Sequence, residues 1–234
     1  MYQDSKVGGV LLAAGNSSRM GQGLNKVYKD LRGRPVLRYS IDTFLESGLV
    51  DEIVIVFNDN EVQILEEKVL GPLSHDLADR DIALKCVPGG SRRQDSSRKG
   101  VEASDVDYVC IHDGARPNFS SELVVELLRS AVEYGAAFPG IKPVDTIREN
   151  DNGFAGETVD RDRLVKVQTP QCIERTLLLD SIEEAGNRGL YFTDDAGIVM
   201  EVANAKPRVI EGERGNVKMT NPLDARMIEV LMDS

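Results

Sequence analysis

Short apolar runs alternate with longer amphipathic segments along the chain, and this alternation restricts the fold more than any other feature of the sequence. Four runs rich in Val and Ile are typical of buried strands: Val7–Ala14, Glu52–Phe57, Ile82–Val87 and Asp107–His112. Apolar residues at helical spacing predict helices at Pro35–Ser47 and Ser121–Tyr134. This is the order of βαβ units, so we predict a mostly parallel twisted sheet with helices on both faces.

The alternation stops at Pro139, beyond which a turn-rich tetrapeptide, Asn150–Gly153, separates two short strand-like segments. We predict a β-hairpin arm at about residues 140–162, with strands at Lys142–Glu149 and Phe154–Asp160. Because these strands show little apolar alternation, the arm would be only marginally stable alone, and we expect it to pack on another chain.

Helical patterns return beyond the arm, at Glu174–Asn187, at Asp194–Ala203 and from Asn221-Pro222 onwards. The sequence contains no repeat, linker or low-complexity tract that would mark a domain boundary. We therefore expect residues 1–234 to form a single-domain, three-layer α/β/α protein of Rossmann-like architecture, from which the β-hairpin arm projects.

The chain is acidic as a whole, since 28 Lys and Arg against 39 Asp and Glu give a formal net charge of −11 over 234 residues. Proteins that bind nucleic-acid polymers present a basic face, so this balance argues against such a partner. Trp is absent and aromatic residues make up 5%, which also disfavours base-stacking surfaces. A small anionic substrate held by a few local cations is compatible with this composition.

The three cysteines, Cys86, Cys110 and Cys172, are far apart in the sequence and form no CxxC pair. This pattern predicts neither a disulfide framework nor a zinc site, and we expect the cysteines to be small hydrophobic residues of the core. No apolar run is long enough for a signal sequence or a membrane span. We therefore expect a cytoplasmic protein that makes no membrane contact.

A loop of small residues follows the first predicted strand and reads Ala13-Ala14-Gly15-Asn16-Ser17-Ser18-Arg19-Met20-Gly21, with Lys26 beyond it. At the carboxyl end of a strand, small residues let backbone N–H groups approach a polyphosphate, and Arg19 and Lys26 add positive charge. The spacing matches neither the dinucleotide-binding GxGxxG motif nor the P-loop. On spacing alone, a tight strand-to-helix turn with solvent-facing cations explains the loop equally well.

Two further segments place charged residues near predicted strand ends. Asp113 follows an apolar strand, where its carboxylate could hold Mg²⁺ or ribose hydroxyls, or simply cap the next turn. Lys218 precedes the last helix in an apolar-flanked segment, where it is either turned inwards towards phosphates or exposed. We interpret His112 as a packed or hydrogen-bonded residue, and Asp194-Asp195 as residues that favour a helix N terminus.

The loop after the first strand, LLAAGxxxRMG followed by Lys26, resembles nucleotidyltransferases that activate sugars, alcohol phosphates or cofactors with a nucleoside triphosphate. Further motifs follow in order: Gly89–Ser96, Ile111–Pro117, Asp145-Thr146, Thr158–Arg161, Gln168–Gln171, Thr193–Ala196 and Gly215–Thr220. From Val7 to the C terminus, the ordered set resembles the 2-C-methyl-D-erythritol 4-phosphate cytidylyltransferase family of the non-mevalonate isoprenoid pathway. The resemblance implies transfer of a cytidylyl group from CTP to 2-C-methyl-D-erythritol 4-phosphate with Mg²⁺ or another divalent cation, giving 4-diphosphocytidyl-2-C-methyl-D-erythritol and pyrophosphate.

The resemblance also implies a set of site residues. Catalytic roles would fall to Arg19, Lys26, Arg161 and Lys218. Substrates would be bound by Ala13, Ala14, Gly15, Gly90, Ser96, Asp113, Gly114, Arg116, Thr146 and Thr169, with Asp113 as the candidate metal ligand. Thr146 on the arm would cross into the partner subunit of a homodimer, and Arg116 would face the arm. Without the resemblance, Gly89-Gly90 is an ordinary turn, Thr146 is a strand former, and Arg92 and Arg98 belong to a solvated helix face.

In the implied reaction the attacking group is an ionised phosphate oxygen, so catalysis rests on positioning and electrostatics and needs no general base. The sequence departs from the family at Ser17, where glycine is usual, at Asn25, where proline is usual, and at Ser91, where many relatives are acidic. Two alternatives stay open, a ribitol-5-phosphate cytidylyltransferase and a non-catalytic nucleotide-binding protein of the same fold. The presence of all four catalytic candidates weighs against the second, because CTP binding alone would not need them.

Overall fold

The apolar runs and amphipathic segments form strands and helices in the predicted order. The computed structural model describes residues 2, 4–15, 25–77 and 80–233. Its strands are β1 (Val7–Leu12), β2 (Asp30–Leu31), β3 (Arg34–Pro35), β4 (Glu52–Phe57), β5 (Ala83–Pro88), β6 (Tyr108–Asp113), β7 (Ala136–Ile141), β8 (Ile147–Asp151), β9 (Phe154–Val159), β10 (Lys166–Val167), β11 (Gln171–Glu174) and β12 (Arg208–Glu211).

The α-helices of the described ranges are α1 (Val36–Glu46), α2 (Val62–Leu65), α3 (Gly71–Leu77), α4 (Arg93–Ala103), α5 (Ser121–Tyr134), α6 (Arg175–Asn187), α7 (Asp195–Ala203) and α8 (Pro222–Leu231). Short 3₁₀ turns occupy Lys26–Tyr28, Asp59–Glu61 and Arg161–Arg163, and a π-helical turn at Glu66–Leu70 joins α2 to α3.

The main sheet has the strand order β10-β7-β11-β6-β1-β4-β5, with β12 paired to β7. β1 lies parallel between β4 and β6, and β5 and β12 also pair in parallel with their neighbours. β11 pairs antiparallel with β6 and β7, and β10 pairs antiparallel with β7. The predicted mostly parallel sheet is confirmed. Because β1, β4, β5 and β6 share one direction, their carboxyl ends meet at one edge, where open α/β sheets bind ligands.

Two apolar cores lie on the two faces of the sheet, as a three-layer architecture requires. On one face, Phe44 of α1 and Leu127 of α5 are buried together with Leu11 of β1. On the other face, Leu178 of α6 is buried together with Val10, the neighbouring residue of β1. Burial of each such side chain stabilises the fold by about 1.5–3 kcal/mol. Alternate residues of β1 therefore pack against the two helical layers, and the carboxyl end of the strand lies between them.

Helix α4 approaches β1 closely because glycine occupies position 100. A Cβ atom on Gly100 would lie 2.5 Å from Val10 Cγ1, which is nearer than real Cβ contacts come. A larger residue would push the helix away from the sheet. This close approach holds the N-terminal turn of α4, with Arg93, beside the carboxyl edge of the strands.

The predicted hairpin arm is confirmed, with β8 and β9 pairing antiparallel and Ile147 opposite Val159. Asn152 and Gly153 form its turn with φ of 49° and 93°, the left-handed conformation that two-residue hairpin turns require. The first arm strand begins at Ile147 rather than at Lys142, because β7 carries the chain through the main sheet as far as residue 141. Phe154 on the arm is 80% exposed.

The prediction that no cysteines pair is wrong. Cys110 of β6 lies directly opposite Cys172 of β11 in the antiparallel register, and the two residues form a disulfide. Their separation of 62 residues gave no sign of this pairing, because it follows from the sheet register and not from sequence spacing. Both residues are fully buried, as expected, whereas Cys86 is free and exposed.

Among the described residues, no helix combines the length and apolar character needed to cross a bilayer.

Candidate active site

A cavity of about 430 Å³ opens at the carboxyl ends of the parallel strands. Its walls come from segments far apart in the sequence, and its lining includes Gly15, Lys26, Gly90, Ser96, Asp113 and Lys218. Ala14 also lines it, and Ala13 is tied to the sheet through its N–H, which donates to Val56 O at 2.7 Å. A cavity of this size at this edge suits a small ligand with several polar groups.

Asp113, the last residue of β6, is the centre of a cluster of cations. Lys218 Nζ lies 2.8 Å from Asp113 Oδ2, and Arg93 Nε lies 3.3 Å from Oδ1. Arg116 Nε lies 3.5 Å from Oδ2. Burial by itself would raise the pKa of the Asp113 carboxyl, but the three cations together hold it well below its usual range. The carboxylate therefore stays ionised and holds three positive groups at the strand end, of which Lys218 and Arg93 line the cavity.

Arg93 also lines the cavity, although its sequence context did not mark it as a site residue. Besides Asp113 it binds Asp195, whose Oδ2 accepts from Arg93 Nη1 at 2.8 Å and whose Oδ1 accepts from Ser97 Oγ at 2.5 Å. Burial would lower the pKa of Arg93, but Asp195 and Asp113 raise it above its ordinary value. Its Nη2 is buried and has no hydrogen-bond partner among the described residues. Arg93 thus joins the helix α7 region to the strand end.

Asp194 and Asp195 have separate roles at the start of α7. Asp194 caps the helix by accepting from the Gly197 N–H at 3.3 Å, as predicted. Asp195 is fully buried and pairs with Arg93. This ion pair was not predicted, because Asp195 was expected only to place negative charge at the N terminus of the helix. The small residues Ser97 and Gly100, spaced on one face of α4 with Arg93, were the available sequence signal that this face packs inwards.

His112 and Thr169 connect β6 to the segment before β11. His112 Nε2 lies 2.9 Å from Arg116 O and must carry the proton to donate to it, so Nδ1 accepts from Thr169 Oγ1 at 3.0 Å. Thr169 Oγ1 in turn accepts from the Asp113 N–H at 3.1 Å. Burial lowers the pKa of His112 to about 4, so the ring is neutral at pH 7. His112 is hydrogen-bonded as predicted, and Thr169 fixes the backbone of Asp113.

The glycine loop before α4 forms another wall of the cavity. Gly90 donates its N–H to Ser96 Oγ at 3.0 Å, and a Cβ atom at Gly90 would overlap Asp95. Arg92 lies over the Tyr191 ring at 3.6 Å from the centroid, and Arg98 pairs with Glu102 on the exposed side of the helix. Arg98 thus has the solvated position expected of it, whereas Arg92 lines the cavity.

Gly114 brings its backbone close to α1, since a Cβ atom there would lie 2.8 Å from Leu37 Cδ1. Arg116, expected to face the arm, instead donates from Nη1 to Asn216 O at 2.9 Å and lies against Asp113. The cause is the segment before α8, which crosses the strand ends and carries Lys218 to the same carboxylate.

The remaining predicted residues are not brought to this cavity. Thr146 and Arg161 are exposed at the base of the arm, and neither is among the described residues that line the cavity. Arg161 Nη1 donates to Val144 O at 2.5 Å, and this hydrogen bond links the segment before β8 to the segment after β9. Arg19 and Ser17 lie outside the described residues, so their placement stays a prediction.

The donor set around Asp113 limits how a metal ion could be held. Both carboxylate oxygens of Asp113 are engaged by cationic side chains. In the part of the chain that the structure describes, no group of three or more His, Cys, Asp or Glu side chains could hold a metal ion. This chemistry fits a cation that arrives on substrate phosphates, with Asp113 as a single carboxylate ligand, better than a resident metal site.

A mostly parallel α/β sheet whose strand ends carry a small-residue loop, a glycine loop and a cluster of cations is the arrangement expected of a nucleotidyltransferase. The model of the 2-C-methyl-D-erythritol 4-phosphate cytidylyltransferase family matches residues 7–234. The chain therefore belongs to the 2-C-methyl-D-erythritol 4-phosphate cytidylyltransferase family.

Individual relatives agree with this membership. The chain is 37% identical to the 2-C-methyl-D-erythritol 4-phosphate cytidylyltransferase of Clostridium botulinum, over 97% of this chain and 99% of the relative. It is 37% identical to the enzyme of the same name from Caldanaerobacter subterraneus, over 97% of this chain and 98% of the relative.

Solved structures show the same fold. The 4-diphosphocytidyl-2C-methyl-D-erythritol synthase of Anaerococcus prevotii superposes with a TM-score of 0.82 at 25% identity, covering 98% of this chain and 99% of that one. The 2-C-methyl-D-erythritol 4-phosphate cytidylyltransferase of Thermus thermophilus gives 0.78 at 28% identity, covering 96% and 98%.

The chain is thus an enzyme of CTP-dependent cytidylyl transfer to 2-C-methyl-D-erythritol 4-phosphate. This result confirms the predicted family and reaction. It favours methylerythritol phosphate over ribitol 5-phosphate as acceptor, and catalysis over nucleotide binding alone.

Proposed function

We propose that the cavity around Asp113 is the active site in which this chain joins CTP to 2-C-methyl-D-erythritol 4-phosphate. The observation that carries the proposal is the convergence of Lys218, Arg93 and Arg116 on one carboxylate. Two phosphorylated substrates must approach each other there despite their mutual repulsion. The cations gathered at the strand ends oppose that repulsion, and their attraction for phosphate is strongest where water is excluded.

The proposed contacts divide between the two substrates. CTP would be held by Ala13, Ala14, Gly15, Arg19 and Lys26 at the triphosphate, by Gly90 and Ser96 at the base, and by Asp113 and Gly114 near the ribose. The alcohol phosphate would be held by Arg116 and Lys218, with Thr146 and Arg161 of a second copy of the chain. Thr169, whose hydroxyl donates to His112, would act by fixing the backbone of Asp113. Arg suits a phosphate monoester because its planar fork donates two hydrogen bonds at once.

In the proposed mechanism a phosphate oxygen of 2-C-methyl-D-erythritol 4-phosphate attacks the α-phosphorus of CTP. A P–O bond forms to that oxygen, and the bond to the β-phosphate oxygen breaks and releases pyrophosphate. The nucleophile is already ionised, so no side chain needs to remove a proton. Lys218, with Arg161 of a second copy, would orient the attacking phosphate, while Lys26 and Arg19 would stabilise the negative charge that grows on the leaving oxygen.

A divalent cation is generally plausible for a nucleotidyltransferase, and we propose that it enters with CTP. Asp113 is the carboxylate that would hold it, once Lys218 has turned from Asp113 to a substrate phosphate. When bound, Mg²⁺ supplies positive charge to the triphosphate oxygens.

The reaction is tested by measuring pyrophosphate release from CTP and Mg²⁺ with each candidate acceptor. We expect release with 2-C-methyl-D-erythritol 4-phosphate at a kcat/KM at least about tenfold above that with ribitol 5-phosphate, because the polar groups of the site match one alcohol better. Chelation of the cation should abolish release, and omission of the acceptor provides the background. Equal rates with the two acceptors, or CTP binding without release, would contradict the proposed acceptor or reaction.

We also propose that residues 1–234 form one nucleotidyltransferase domain and that its arm, at about residues 140–162, pairs with a second copy. Exposed apolar residues support this, since Phe154 is 80% and Val144 is 61% exposed on or beside the arm. A two-stranded hairpin has little stability of its own in water. The exposure of Thr146, away from the cavity of its own chain, agrees with a site completed by the arm of the other copy.

Co-expression of two inactive variants tests this arrangement. Thr146→Ala should lower kcat/KM about 10- to 100-fold, because a hydrogen bond to a charged phosphate is lost. When Thr146→Ala and Lys218→Met chains are mixed equally, each mixed dimer has one site with both residues intact, which restores about a quarter of the wild-type activity. The matched control mixes Lys218→Met with Lys26→Ala, both of which alter the body of the chain, and should show no activity beyond the residual activity of the two variants alone. No recovery with Thr146→Ala would place Thr146 in its own chain's site.

A further inference from the structure

Asn25 lies where the chain returns from the loop after β1, and every polar atom of its side chain is engaged. The side chain is buried, with 3% of the residue exposed. Its Nδ2 donates to Ala13 O at 3.0 Å and to Glu61 Oε2 at 2.9 Å. Its Oδ1 accepts from the Val27 N–H at 3.4 Å, at the start of the 3₁₀ turn Lys26–Tyr28. These contacts use both amide hydrogens and the carbonyl oxygen.

The partners of Asn25 belong to three different parts of the strand edge. Ala13 directly follows β1 and begins the small-residue loop, and Glu61 ends the 3₁₀ turn after β4. Val27 lies in the turn that carries Lys26. A single side chain therefore ties the start of the loop to its end and links both to the 3₁₀ turn that follows β4. The backbone of Lys26, which is the next residue, is fixed by the same contacts.

Glu61 determines which way the side-chain amide of Asn25 faces. Its carboxylate is partly buried, so burial raises the pKa of Glu61 and the hydrogen bond from Asn25 opposes that rise. A hydrogen bond to an ionised acceptor is roughly twice as strong as a neutral one. The bond to Glu61 thus orients the amide so that its second hydrogen meets Ala13 O and its oxygen faces Val27 N–H.

We propose that Asn25 and Glu61 are positioning residues for Lys26, an inference that rests on the proposed function. Neither residue needs to touch the substrate, since both of them act by holding the turn Lys26–Tyr28 against the loop and against the turn Asp59–Glu61. Displacement of a reacting group by about 1 Å can cost about 10²-fold in rate. Loss of the Asn25 contacts lets the turn move and lowers the rate of the step in which Lys26 acts.

The test compares Asn25→Asp with wild type under saturating substrates. Asp keeps the oxygen that caps Val27 but loses both donated hydrogen bonds and repels Glu61, so we expect kcat to fall about 10- to 30-fold. The KM for 2-C-methyl-D-erythritol 4-phosphate should stay within about twofold, because the acceptor side of the cavity is not involved. Glu61→Gln keeps an acceptor for Asn25 and should retain most of the activity, whereas Glu61→Ala should behave like Asn25→Asp.

A double variant separates positioning from general destabilisation. If Asn25 acts through Lys26, Asn25→Asp has no further effect on kcat in a Lys26→Ala background, because coupled residues are not additive. Asn60→Asp is the matched control, since it adds the same charge beside Glu61 at an exposed position and should leave kcat unchanged. Additive losses in the double variant, or wild-type kcat in Asn25→Asp, would overturn the proposal. Absence of pyrophosphate release from the wild-type protein would instead overturn the proposed function.

Discussion

The Lys218→Met variant is expected to lose about 10²–10³-fold in kcat/KM for 2-C-methyl-D-erythritol 4-phosphate while it still binds CTP. Lys218 Nζ lies 2.8 Å from Asp113 Oδ2 at the strand edge, on the side of the cavity formed by the segment before α8. Its ammonium is the group that can move from Asp113 to an incoming phosphate. Methionine keeps the aliphatic stem and removes only the charge, so the loss reports the electrostatic contribution.

The variant should fold, because Asp113 retains Arg93 and Arg116 as partners and is not left as an uncompensated buried charge. Circular dichroism and thermal unfolding check this. Lys206→Met, at an exposed position between α7 and β12, is the control for loss of one lysine and should leave steady-state kinetics unchanged. A Lys218→Met enzyme with wild-type kcat/KM for the acceptor would remove Lys218 from the reaction.

The parts of the fold that could be predicted from the sequence are those set by local patterns. Val7–Leu12 and Glu52–Phe57 are short runs of residues buried on both faces, and this pattern is hard to satisfy except in a central parallel strand. The boundaries of Ser121–Tyr134 were also predicted, from apolar spacing alone. In the structure Ser120 caps that helix and Gly135 ends it in a left-handed conformation.

The elements that were missed depend on partners distant in sequence. β7 contains Pro139, which reads as a break, yet it is held between β12 and the β10–β11 side of the sheet. The Cys110–Cys172 pairing follows from the register of β6 and β11, which neither strand specifies alone. Such features arise from tertiary context and are not visible in periodicity or spacing.

The candidate site shows the same division. Asp113 and Lys218 could be selected because motifs mark them, but their mutual contact spans 105 residues of sequence. Arg93 was not selected as a site residue, because the small residues on its helix face indicate only that this face packs inwards and not which partners the arginine meets. Its inward position depends on Asp195, 102 residues away, and on the close packing that Gly100 permits. Pair contacts of this kind follow only from the assembled fold.

Substitution of Lys26 by alanine is expected to lower kcat about 10²–10³-fold while the dissociation constant of CTP rises only a few-fold. Lys26 lines the cavity beside Gly15 and is carried on the 3₁₀ turn that follows Asn25. Negative charge grows on the oxygen between the α- and β-phosphates as pyrophosphate leaves. A cation placed there gains more interaction energy in the transition state than with bound CTP, so its removal affects rate more than affinity.

The measurement pairs single-turnover rates with direct titration of CTP binding, so that chemistry and affinity are separated. Lys29→Ala is the matched control, because Lys29 ends the same 3₁₀ turn but is not among the described residues that line the cavity; it should change neither quantity by more than about twofold. Near-normal kcat with a large loss of CTP affinity would show that Lys26 holds the ground state. The 3₁₀ turn would then serve nucleotide binding, and stabilisation of the leaving group would have to come from other cations of the site.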